Sequence, residues 1–166
     1  MIDLVRTMLA SQFQAALSML NDCIDRCPLE HWDGRIARYP FWQVAYHTLC
    51  YADLYLSPGR ASFELRPDLH PAGWSEFNDE YPSRRFEQPE LAGYIATCRD
   101  KAVATLAAET PETLAAGSGF DWLPFSRGEV HVYNIRHIQH HAAHLSLRLR
   151  IDAGVEIPWV RSGWRE

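Results

Sequence analysis

From Ser126 to Ala153 the chain keeps one unbroken helical pattern of apolar and polar residues, and five of its eight histidines fall inside it. The centre reads Arg136-His137-Ile138-Gln139-His140-His141-Ala142-Ala143-His144. Two His-x-x-x-His pairs interleave there, His137 with His141 and His140 with His144. Residues four apart on a helix stand one turn above each other on the same face. At about 100° per residue, all four imidazoles fall within an arc of about 100°. A transition metal that takes two nitrogen ligands from one rigid element needs that arrangement. By helical angle Val130, Tyr133, Leu147 and Ile151 lie on the same side. The imidazoles are therefore expected to face the interior of a helical assembly, or a cleft at its end.

The rest of the chain is patterned to match. Residues 2–25 carry Ile2, Val5, Leu9, Phe13, Ala16, Leu20 and Ile24 at helical spacing. Residues 27–40 read as a connection. A second helix is predicted over 41–56, with Val44, His47, Tyr51 and Leu54 on one stripe, stopped by Ser57-Pro58-Gly59. Residues 57–87 hold four prolines with aromatics between them and read as a long ordered loop, of the kind that often carries function. A third helix is predicted over 89–109, followed by a connection through Pro111, Gly117 and Gly119. Ser126-Arg127-Gly128-Glu129 matches a capping box that opens the last helix, and Gly154 is placed to stop it. No stretch alternates as a strand would. The expectation is an all-α four-helix bundle, one domain over 1–166, with connections long enough to allow parallel neighbours.

Composition narrows the function classes. The net charge is −5 and no basic run occurs, which argues against nucleic acid and against an anionic membrane surface. No apolar run approaches the roughly 20 residues that span a bilayer. The start of the chain lacks a basic leader and a small-residue cleavage site. Cys23, Cys27, Cys50 and Cys98 form no C-x-x-C pair and read as buried free thiols. A soluble, cytoplasmic protein is expected.

A buried imidazole that leaves a ring nitrogen unpaired loses about 1–3 kcal/mol, so four together are costly unless they share a cation. A third ligand should come from another helix, and His47, on the inward stripe of the second, is the best placed. His31 and His70 fall in predicted loops, and His131 points away from the arc. The spacing alone leaves both interleaved pairs open as ligands. No H-E-x-x-H, Glu-x-x-His, phosphate loop or G-x-S-x-G is present, so zincin, di-iron, nucleotide-binding and esterase readings have no support.

Two blocks of the sequence are similar to the DinB-like superfamily, which includes bacillithiol- and mycothiol-dependent transferases and isomerases. One is Phe41-Trp42-Gln43-Val44-Ala45-Tyr46-His47, which resembles the family's Trp-x-x-x-x-His opening of the second helix. The other is Ser126-Arg127-Gly128-Glu129 leading into His137 to His144, which resembles its Thr/Ser-Arg start and His-x-x-x-His metal pair. The resemblance covers nearly the whole chain. It implies an up-down-down-up bundle, a divalent ion (Zn or Ni) held by His47, His137 and His141, and a homodimer. His144 stands where the family often has Gln.

On this reading the expected function is metal-dependent transfer or hydrolysis on a small molecule, with a low-molecular-weight thiol as one reactant. The alternative is a non-catalytic metal-binding or sensing bundle. His140 and His144 are further site candidates. Asp53, two turns along from His47, is placed either to orient a ligand or to stand in solvent. Arg148 is placed either to bind a carboxylate or to make a helix-end salt bridge. Tyr133, Tyr46 and Trp42 are candidates for a pocket wall or for the core.

Overall fold

Helical periodicity becomes five helices in the computed structural model, which describes residues 1–78 and 82–165. They are α1 (Ile2–Asp25), α2 (Phe41–Leu56), α3 (Gln88–Ala108), the short α4 (Pro111–Ala115) and α5 (Arg127–Ala153). The fold is all-α, apart from a small hairpin of β1 (Arg35–Ile36) and β2 (Tyr39–Pro40) inside the segment read as a plain connection. Its strands are too short for alternation to register, and it turns through Ala37 at φ 53°.

Local chemistry sets the helix ends. The Ser126 hydroxyl accepts the Glu129 amide at 3.2 Å, which is one half of the expected capping box. At the other end of α5, Gly154 adopts φ 65°, a left-handed conformation that costs a residue with a Cβ about 1–2 kcal/mol. Glu87 caps α3 together with Glu90, and Pro89 sits in its first turn. Helix α4 was not anticipated. Its signal is Thr110 before Pro111, a hydroxyl N-cap followed by the one residue that needs no amide partner there.

The long helices pack side by side, α1 against α3 and α5, and α2 against the same two. Gln88, at the start of α3, donates to the Ile24 carbonyl at 2.9 Å, while Arg6, near the start of α1, donates to the Glu109 carbonyl beyond α3 at 2.7 Å; these two helices run antiparallel. Helices α2 and α3 run in the same direction, since Cys98 reaches the Leu49 carbonyl and Thr105 the Leu56 carbonyl. The chain must therefore cross back along the molecule between them, and the described parts of that crossing, residues 57–78 and 82–87, include helical turns at Arg60–Ser62 and Gly73–Phe77. The core runs through Phe13, Leu17, Leu20, Leu49, Leu91, Ile95, Ile138 and Leu145, none more than 1 % exposed. Each such side chain contributes about 1.5–3 kcal/mol by leaving water. A smaller cluster of Leu54, Tyr55, Phe63, Phe120, Leu123 and Val130 lies where the crossing segment and the segment before α5 meet the end of α2.

All four cysteines are free and buried. Burial pushes the thiols of Cys23, Cys27 and Cys50 up to about 12, so they stay protonated. No helix among the described residues is long and apolar enough to cross a membrane.

Candidate metal centre

Three imidazoles converge where α2 and α5 cross in opposite directions. His47 comes from α2, and His137 and His141 come from successive turns of α5. Ring centroids are 5.5 Å apart for His47 and His137, 5.0 Å for His47 and His141, and 4.7 Å for His137 and His141. One ring nitrogen from each lies within 4.8 Å of the others. Tetrahedral zinc with Zn–N of ~2.05 Å needs nitrogens roughly 3.3 Å apart, so an ion there would draw the rings somewhat closer together.

The electrostatics suit a cation. Burial, then the neighbouring imidazoles, pushes His137 down to about 3 and His141 down to about 2. Both rings are neutral at ordinary pH, with a lone pair available. The Nδ1 atoms of His137 and His141 are buried and have no hydrogen-bond partner. A buried, unpaired ring nitrogen is unfavourable unless something binds in the cluster, so these residues fit a metal ion.

Two cavities meet at His47. The larger, about 460 Å³, is walled by Tyr51, Tyr55, Trp74, Phe77, Trp122 and Tyr133 and reaches His47 and His137. The smaller, about 280 Å³, lies toward Tyr39, Tyr46 and Glu76 and reaches His47 and His141. The histidine cluster is thus open to small molecules from two directions.

The four imidazoles between His137 and His144 do not share one environment. Its buried side carries Ile138, Ala142, Leu145 and Leu149, centred roughly 110° around the helix from His137 at about 100° per residue. His137 and His141 stand at the edge of that side, half-buried, whereas His140 and His144 lie outside it and are exposed. Leu147 and Ile151, expected on the inward stripe, are 57 % and 65 % exposed. His140 and His144, with ring centroids 4.2 Å apart, form a second group of possible ligands with His141.

The other candidate residues separate by burial and by partner. Asp53 does not stand in solvent and lines neither cavity. It is 2 % exposed, with Lys101 Nζ at 2.6 Å, Arg66 Nη2 at 2.8 Å and the Tyr94 hydroxyl at 3.1 Å, and it ties α3 and the crossing segment to α2. Arg148 pairs with Asp152 one turn on at 2.6 Å and lines neither cavity. Trp42, 8 % exposed, belongs to the core. Tyr46 lines the smaller cavity and donates to the Leu69 carbonyl at 2.6 Å, while Tyr133 lines the larger. His31 sits in the turn Leu29–His31. His70 is buried, its Nδ1 accepting the Arg66 amide at 3.1 Å and its Nε2 3.0 Å from the Tyr94 hydroxyl.

His131 lies in the interior and lines neither cavity. It is fully buried, with Nε2 2.7 Å from Glu109. Burial, then the nearby Arg127 charge, lowers its pKa, so the neutral ring donates from Nε2 to the carboxylate. Burial pushes Glu109 up, but hydrogen bonds from Thr113, His131 and Arg127 outweigh it and hold the carboxyl below its usual range. Arg127, also bonded to Glu109, donates to the carbonyls of Tyr55, Leu56 and Ser57 at the end of α2. It satisfies acceptors that helix α2 leaves open. Sequence reasoning missed this network, and it missed Arg60, Trp74, Phe77 and Trp122 at the larger cavity. The only hint of the latter was the density of aromatics in the long loop.

A family model for the DinB superfamily matches residues 12–145. No curated protein and no solved structure gives a significant match.

Proposed function

The chain belongs to the DinB superfamily, and from that premise we propose that it is a divalent-metal-dependent enzyme, a thiol S-transferase or a hydrolase of a small molecule, with His47, His137 and His141 as the protein ligands. One observation carries this reading: three imidazoles from two helices meet beside two cavities. Three protein ligands leave part of a metal's shell for water or substrate. A divalent ion there would supply a Lewis acid and would favour the thiolate form of a bound thiol. The chain's own part is to keep the rings neutral, hold them on two packed helices and surround the site with aromatic walls. Imidazole ligands suit Zn, Ni, Fe and Cu alike, and the family resemblance favours Zn or Ni among them. The four buried cysteines support a thiol that comes from outside, because their own sulfurs are enclosed.

The pairing of helix directions supports reading the four long helices as one up-down-down-up bundle domain over 1–166. The exposed Leu147 and Ile151 offer apolar surface that a homodimer would cover, and a cytoplasmic location fits the reduced thiols. A non-catalytic metal-binding bundle is the second reading, and one observation favours it. Glu76, the one carboxylate lining either cavity among the described residues, is already engaged by the Ser83 and Ala72 amides.

The test is elemental analysis of tag-free protein, then a panel of low-molecular-weight thiols with chlorodinitrobenzene as electrophile. About one ion per chain and metal-dependent thiol consumption are expected. Less than about 0.2 ion per chain would remove both readings. Full occupancy without turnover of thiol or ester substrates would leave the binding protein.

A further inference from the structure

The larger cavity has a character that three histidines do not account for. Its walls are flat and aromatic, no carboxylate lines it among the described residues, and its single permanent charge is Arg60. The Arg60 guanidinium lies over the Trp74 ring at 4.6 Å and forms no salt bridge among the described residues. Stacking uses the face of a guanidinium and leaves its in-plane N–H donors free, in the fork geometry that matches a carboxylate.

The backbone holds this arrangement in place. The Arg60 amide donates to the Gly119 carbonyl at 3.2 Å. Gly119 has φ +79°, and a Cβ there would lie 2.0 Å from the Pro58 carbonyl oxygen. Only glycine lets the turn that carries Arg60 dock so closely on the loop that carries Trp122. Trp122 in turn donates from Nε1 to the Tyr55 hydroxyl at 3.4 Å. The turn that carries Arg60 and the loop that carries Trp122 are therefore held against each other, and a volume of about 460 Å³ is ample for a bicyclic ring.

The geometry points to a planar aromatic or conjugated carboxylate as the ligand of this cavity, its ring against Trp74, Trp122 and Tyr55 and its carboxylate on the Arg60 fork. The inference rests on the proposed function only in turning the reacting end of such a molecule toward His47 and His137.

The test is calorimetric titration of chelator-treated protein with naphthoate, its neutral analogue naphthalenemethanol, and cyclohexanecarboxylate, which has the charge without the flat ring. Naphthoate is expected to bind at least about tenfold tighter than either control. Arg60→Gln should abolish the preference over the alcohol and leave the alcohol's own affinity unchanged. Arg60→Lys, which keeps the charge and loses the fork, should retain part of it. Arg60 is exposed, so both variants keep the fold, and circular dichroism checks this. Equal affinity for naphthoate and the alcohol, or a preference that survives Arg60→Gln, overturns the inference. Because no metal is present, absence of an ion in the native protein leaves this result standing, and failure here leaves the metal centre standing.

Discussion

His137 and His140 are three positions apart on one helix and face different surroundings. The first is half-buried among His47, Tyr51 and Tyr55, and the second is exposed. A metal site separates them, because ligand strength depends on a neutral ring held rigidly beside its partners. His47→Ala and His137→Ala are each expected to abolish stoichiometric metal binding, read by elemental analysis after dialysis. His140→Ala should have a smaller effect and His31→Ala almost none. Full occupancy in His137→Ala would show that the other pair holds the ion. Asp53 makes a different prediction. Replacement by Ala leaves Lys101, Arg66 and the Tyr94 hydroxyl without their shared acceptor, at a cost of about 2 kcal/mol in urea unfolding, moderated because both cations are partly solvated. Sequence periodicity places Asp53 on α2 but says nothing of the charges opposite, which arrive from α3 and from the crossing segment.

At the scale of elements, the start of α5 does two jobs. Ser126 caps its own helix, a local matter that the four-residue motif shows by itself. Arg127 closes the end of another helix, with acceptors about seventy positions away. Ser126→Ala should lower stability by about 1 kcal/mol, the usual worth of an N-cap. Arg127→Met should lower it by about 3 kcal/mol, because it strands the carbonyls of α2 and leaves Glu109 and His131 buried without their cation. Chemical unfolding of both variants tests the ranking, and an equal loss would refute the role given to Arg127. Secondary structure was legible wherever one helix decides its own ends. The hairpin and α4 escaped notice because each is shorter than the period needed to detect it.

For the whole molecule, histidine protonation sets how stability depends on pH. Burial lowers His70, His131, His137 and His141 in the metal-free protein. Below about 6.5 the unfolded chain takes up protons on these rings and the folded chain does not. The unfolded state then binds more protons, so stability rises with pH across this window and falls as pH drops below it. Thermal melts of chelator-treated protein should show Tm falling steadily from pH 7 to pH 5. A flat profile would mean that the rings are not buried as described. Adding the metal at about a hundred times its Kd should raise Tm by roughly 5–10 °C at pH 7.

Spacing along the chain was enough to specify four long helices, the caps of the last one and the two pairs of histidine that could meet, because each depends on residues within a turn or two. Which face of α5 turns inward was decided only by assembly. Packing against α1 and α2 rotated the buried side toward Ile138 and Leu145, left His137 and His141 at its edge and turned His140 and His144 outward. The same packing brought Arg60, Trp74 and Trp122 from distant segments to one cavity. Nothing local marks such residues, since the contacts that define them exist only once the chain has closed on itself.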